Sequence, residues 1–167
     1  MRNFSEKDLQ RLFSKERLQS YKNSQEHFDN FYFVGRISPK IGLLEVIIRN
    51  KIDTILSQSN VKWIYSHKDL LSDDILALQK HQIISKQNLG FWVKIADFYG
   101  IHTQIFDKEF IIKLNFRAYY KGNKNKIRHS KLRLTQKAET LLHLIRIVRN
   151  RAFHFENLYK LNRNYPR

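Results

Sequence analysis

Thr135-Gln-Lys-Ala-Glu-Thr-Leu-Leu-His-Leu-Ile-Arg-Ile-Val-Arg-Asn-Arg-Ala-Phe-His-Phe-Glu-Asn-Leu158 contains no proline or glycine, and its apolar residues recur at helical spacing. At about 100° per residue, Leu141, Leu144, Ile145, Val148, Ala152 and Phe155 form one stripe that must face a core. His143, Arg146, Asn150 and His154 follow at steps of three, four and four, a polar row on the other side. Arg149 falls at the edge of the apolar stripe, about 140° from His154 on an ideal helix. The two can share a site in three ways. The helix deforms near Ala152, the long arginine reaches around, or a second subunit completes the site.

Working outward, Ser5 followed by Asp8 reads as an N-cap with an acidic third residue, opening a helix to about Tyr21. Ser24 caps a second helix carrying Phe28, Phe31, Tyr32 and Val34. Ser38-Pro39 starts a third that runs to about Gln58. Its core stripe is Leu44, Ile48, Ile52 and Ile55, widened by Leu43, Ile47 and Leu56. Glu45, Arg49 and Asp53 stand at i, i+4 and i+8 beside that stripe. They form either an intrahelical salt-bridge ladder or a set of charges turned toward the polar row of the last helix. Ser72-Asp73-Asp74 opens a helix to about Ser85, and Asn88 caps Leu89–Tyr99, which stops at Gly100. The stretch Tyr119-Tyr-Lys-Gly-Asn-Lys-Asn-Lys-Ile-Arg-His129 is a polar, basic loop or helix connection.

Two prolines and five glycines in 167 residues favour long helices over a turn-rich β-sandwich, and the length suits a single domain over 1–167. Without cysteine there is no disulfide, thiol nucleophile or Cys-based zinc site. The histidines show no metal-ligand spacing, so no metal or other cofactor is expected. No apolar run approaches the roughly 20 residues of a membrane span. No signal peptide is evident either, so a soluble cytoplasmic protein is expected. The net charge of +16 is uneven. From Lys108 onward 16 Lys and Arg face only Glu109, Glu139 and Glu156, whereas the first 107 residues balance 15 basic against 12 acidic. A field concentrated in the carboxy-terminal third suits a polyanion more than a solvated surface alone. Arg146, His143, Lys121, Lys124, Lys126 and Arg128 are its candidate nucleic-acid contacts. Tyr119 and Tyr120 could stack bases beside the last four, and Trp63 and Trp92 read as core.

Val148-Arg-Asn-Arg-Ala-Phe-His-Phe-Glu156 resembles the Arg-Asn-Arg-x-x-His-His-Glu signature of bacterial abortive-infection (Abi-like) proteins of the HEPN superfamily. Leu43-Leu-Glu-Val-Ile-Ile-Arg-Asn50 is similar to that family's Leu-Leu-Glu-Val-x-Leu-Arg-Asn helix. Leu89-Gly-Phe-Trp-Val-Lys94 is similar to its Phe-Gly-Phe-Trp segment, and Ser14–Tyr21 to its amino-terminal region. Phe155 stands where the family often has a second histidine.

The resemblance implies an all-α, HEPN-type helical bundle with additional short helices, commonly a homodimer with the Arg/His motifs of two protomers facing one cleft. It also implies metal-independent RNA cleavage by an endoribonuclease of a phage-defence or toxin–antitoxin system, held in check by a protein or RNA antitoxin. In that chemistry His154 serves as base or acid, Arg149 stabilises the phosphorane charge and Asn150 positions phosphate or His154. Glu45 and Arg49 would orient Arg149 or bind phosphate, and the products would carry a 2′,3′-cyclic phosphate and a 5′-hydroxyl. The alternative is a non-catalytic RNA-binding or regulatory HEPN module, whose RNA binding would survive loss of His154.

Overall fold

The computed structural model describes residues 5–119 and 132–160. Every regular element among them is helical, and the chain is all-α. In order these are α1 (Glu6–Phe13), α2 (Lys15–Gln19), α3 (Ser24–Ser57), a 3₁₀ stretch (Trp63–Leu70), α4 (Asp73–Leu76), α5 (Lys80–Lys86) and α6 (Leu89–Tyr99). Then come α7 (His102–Ile105), α8 (Lys108–Lys113), α9 (Phe116–Tyr119) and α10 (Leu134–Phe153). None of the described helices is long and apolar enough to cross a membrane. The chain divides into two compact units, Met1–Gly42 with Ile147–Arg167, and Leu43–Arg146.

Local chemistry sets the boundaries, sometimes against the sequence reading. Ser5 and Asp8 close the expected capping box, but the first helix stops at Phe13 rather than near Tyr21. Ser14 takes a left-handed φ of 62° and its hydroxyl accepts the Arg17 N–H, restarting the chain as α2. Asn23, not Ser24, caps α3, accepting the Glu26 N–H at 2.8 Å. The helix then continues through Ser38-Pro39, where a new start was expected. Pro39 has no N–H for the Gly35 carbonyl, a loss of about 3 kcal/mol or more in a helix interior. Buried Val34 and Ile41 hold the helix together on both sides of it, packed with Ala152. The helix expected from Ser72 to Ser85 is broken into α4 and α5 where the Gln82 side chain reaches back to the Gln79 N–H. α6 matches its expected bounds: Asn88 accepts the Phe91 N–H, and Gly100 adopts the left-handed φ of 63° that ends the helix.

In the Leu43–Arg146 unit the core gathers Ile48, Ile52 and Leu56 of α3, Trp63 and Ile64, Ile83 and Ile84, the α6 residues Leu89, Trp92, Ile95 and Ala96, and Leu142 of α10. Trp63 and Trp92 are core residues, 1% and 0% exposed. The stripe expected on α3 is narrower than its sequence suggests. Leu43 and Ile47 lie roughly 100–140° around the helix from Ile48 and are exposed. Leu44 is nearer that face, yet it joins neither core cluster and is exposed too. Asp53 anchors the unit. Its Oδ1 pairs with Lys80 at 2.8 Å and accepts from Trp63 Nε1 at 2.8 Å and Ser57 Oγ at 3.0 Å.

In the other unit a polar clamp ties the chain beyond α10 to α3. Asn30 is fully buried and donates to the Glu156 carbonyl (3.1 Å) and Tyr21 Oη (3.2 Å) while accepting the Leu158 N–H (2.9 Å). Asn157 donates to the Ser20 carbonyl at 2.6 Å and accepts the Tyr159 and Lys160 N–H groups. Arg151 donates to the Asn157 and Lys160 carbonyls and pairs with Glu156.

α10 ends at Phe153, not near Leu158. Phe155 adopts a left-handed φ of 52°, and the last bonds run from Phe155 N–H to the Ala152 carbonyl (3.0 Å) and from Glu156 N–H to the Arg151 carbonyl (2.8 Å). This is the Schellman pattern that usually employs glycine; here a phenylalanine accepts roughly 1–2 kcal/mol of left-handed strain. Its ring stacks on Phe31 at 5.1 Å, and its carbonyl accepts from Arg17. Expected stripe members Leu144, Val148 and Phe155 are exposed, and the buried line is instead Ala138, Leu142 and Ala152, with Ile145 packed beside it.

Candidate functional site

The register of that buried line decides how Arg149 should be read. Ala138, Leu142, Ile145, Arg149 and Ala152 succeed one another at steps of four, three, four and three, so Arg149 occupies a stripe position. It is half-buried there. Its guanidinium carbon lies 4.8 Å from the Phe153 ring centroid, and Nη1 reaches Asn150 Oδ1 at the outer hydrogen-bond limit of 3.5 Å.

His154 is the first residue past the helix. Its N–H still bonds the Asn150 carbonyl (3.0 Å), and its side chain is exposed. α10 ends immediately before His154, and this helix end does not by itself gather Arg149 and His154 around one cavity. The ring borders a cavity of about 290 Å³ with Arg17, Ser20, Tyr21, Arg151, Phe155, Glu156, Asn157 and Lys160. Arg149 and Asn150 do not line it. Arg17 and Arg151 are largely committed, since Arg17 donates to the Phe155 carbonyl and to His27 Nε2, and Arg151 to the clamp. Lys160 is the cavity cation whose ammonium has no partner among the described residues. Arg17 and Lys160 were not singled out from the sequence, although Arg17, Ser20 and Tyr21 belong to the Ser14–Tyr21 resemblance.

Behind the cavity, His27 is fully buried among Phe13, Tyr21, Phe28 and Phe31, with ring centroids 4.7–5.7 Å away. Burial, and then the Arg17 guanidinium, push its pKa below the usual imidazole value. Its Nδ1 is buried without a hydrogen-bond partner.

The remaining candidates lie in the Leu43–Arg146 unit or outside the described residues. Glu45 and Arg49 are half-buried on α3. Arg49 Nη1 donates to the Ser85 carbonyl at 3.3 Å while Asp53 turns to Lys80, so no ladder joins those two. His143 Nε2 meets Asp97 Oδ1 at 3.3 Å, the same oxygen that holds His102 Nε2 at 2.8 Å. Arg146 borders a second cavity, with Lys94 and Asn88. Lys121, Lys124, Lys126 and Arg128, with Tyr120, fall outside the described residues. Among the described residues, no group of three or more His, Asp or Glu is arranged to hold a metal ion.

Comparison with protein-family models, curated proteins and solved structures returned no match.

Proposed function

We propose that this chain is a metal-independent endoribonuclease of the HEPN type, working as a homodimer in phage defence or a toxin–antitoxin pair. The observation that carries the reading is the end of α10. An arginine occupies a stripe position, and the helix terminates so that His154 emerges beside a basic cavity. The motif resemblance at Val148–Glu156 supplies the chemistry.

In that chemistry a base takes the proton of the ribose 2′-OH, whose oxygen attacks phosphorus. The P–O5′ bond then breaks as an acid protonates the departing 5′-oxygen. The products are a 2′,3′-cyclic phosphate and a 5′-hydroxyl. His154 suits either proton transfer, and in a dimer the two copies divide the tasks. Arg149 offers a permanent planar cation to the phosphorane oxygens. Asn150, beside Arg149 and one turn before His154, holds phosphate or ring.

Incubating wild type and His154→Ala with total RNA and mapping the ends tests this. The expected loss in rate is on the order of 10²–10⁴, with cyclic phosphate ends and no sensitivity to EDTA. Undiminished cleavage by His154→Ala would sink the assignment. A non-catalytic RNA-binding module is the second reading, favoured by the absence of Arg149 from the cavity that His154 borders. It predicts RNA binding without cut ends, unchanged in His154→Ala.

A further inference from the structure

Arg146 and Lys94 border a cavity of about 270 Å³ within the Leu43–Arg146 unit, together with Leu70, Gln87, Asn88, Gly90 and Phe91. Both charged side chains on its wall are cations. Arg146 is half-buried and, like exposed Lys94, has no ion pair or hydrogen bond among the described residues. Asn88 gives its carbonyl oxygen to the Phe91 N–H at 3.0 Å, leaving its NH2 on offer. Gln87 donates its Nε2 to the Ile83 carbonyl and keeps its amide oxygen as the one uncommitted neutral acceptor among these side chains. No carboxylate lines the space. A half-buried guanidinium without an acceptor leaves its donors unsatisfied unless water or an anion supplies one. The contrast with the His154 cavity is direct, since Glu156 is on that wall and two of its three Lys/Arg cations are bonded to backbone carbonyls.

We infer that this cavity is a phosphate-binding site, with Arg146 as the fork, Lys94 as the second cation and the Asn88 amide as a further donor. At about 270 Å³ the cavity has ample room for a phosphate group. Arginine suits the task because two parallel N–H groups match two phosphate oxygens. Phe91 and Leu70 give the remaining wall an apolar surface for the adjoining sugar. The phosphate can belong to an RNA phosphodiester or to a free phosphate, and the site does not rest on the cleavage reading.

Titration of the ¹⁵N-labelled full chain with inorganic phosphate should move the amide signals of Asn88–Phe91 and the Arg146 side-chain signal along saturable curves. Arg146→Gln and Lys94→Gln should each weaken that response, the first by tenfold or more. Arg146→Lys should recover part of it. A second titration uses a short single-stranded RNA without terminal phosphates. Saturation at the same signals identifies the phosphodiester as a ligand, and a response to phosphate alone identifies the free anion. Linear, unsaturated shifts with both probes would overturn the site. So would a response that both Gln variants leave intact; Lys94 is exposed, so its variant tests the site even if Arg146→Gln unfolds.

Discussion

Two buried or half-buried polar residues carry most of what is unusual at the scale of single side chains. Arg149 takes a stripe position of α10 where an apolar residue would pack. His27 sits in an aromatic cage with its pKa pushed down by burial and Arg17. The unfolded chain therefore binds a proton at His27 more readily than the folded one. Stability from this residue is complete above the ordinary imidazole pKa of about 6.5 and erodes as pH falls from there toward the folded value. Urea midpoints measured between pH 7.5 and 5 should fall with pH, and His27→Leu should flatten the slope. Asp53 acts in a separate, lower window. Its burial would raise the pKa, but hydrogen bonds from Lys80, Trp63 and Ser57 outweigh that and hold it below the usual carboxylate value. Its contribution is thus present above about pH 4 and lost as pH falls through the folded value. Asp53→Asn should reduce the further loss on acidification below pH 4. Neither role was legible in the sequence, because Phe13 and Arg17 beside His27, and Trp63 and Lys80 beside Asp53, stand ten or more positions away.

At the scale of elements, the clamp formed by Asn30 and Asn157 holds residues 155–160 against α2 and α3, and so fixes the wall beside His154. Asn30→Leu keeps the volume but strands the Leu158 N–H and Glu156 carbonyl. The expected loss is on the order of 2–4 kcal/mol in chemical denaturation. Faster amide exchange at Leu158 should accompany it. An unchanged exchange rate there would show that Asn30 does not hold the segment. Element boundaries were readable where capping is local. Asn88 and Gly100 bracket α6 as expected, and Ser5 with Asp8 opens α1. They were not readable where the stop is tertiary. Nothing in Phe153-His-Phe-Glu156 advertises a helix end, since Phe155 at a left-handed φ is held by Phe31 and Arg17. Pro39 misled for the converse reason, as a proline at a first turn and one inside a packed helix look alike in sequence.

For the whole molecule, charge is the dominant property, and +16 on 167 residues predicts salt-sensitive association with RNA. Filter-binding or anisotropy with a short single-stranded RNA should lose about tenfold or more in affinity between 50 and 200 mM salt. A salt-independent affinity would rule out phosphate neutralisation as its source. Sedimentation of the free protein bears on the two-protomer arrangement, which requires a concentration-dependent dimer. Helical class was legible from the scarcity of glycine and proline and from the 3.6-residue period. The position of Arg149 in the register was nearly so, because it was placed at the stripe's edge. The orientation of α10 was not, since Leu142 and Leu144 are equally apolar and only packing chooses between them.

Lys137 gives that charge a different meaning. Its ammonium donates to the Leu114, Ile112 and Ile111 carbonyls at 2.7, 3.0 and 3.4 Å, closing the carboxyl end of α8. With Arg151 it forms a class of cations invested in the backbone and counted in the net charge all the same. An alanine scan of the basic residues would score both as RNA ligands, whereas acylating reagents would separate the two populations. An amine bound to three carbonyls is a poor nucleophile beside an exposed one such as Lys94, so the slow-reacting lysine is a fastener and the fast one is free for a partner.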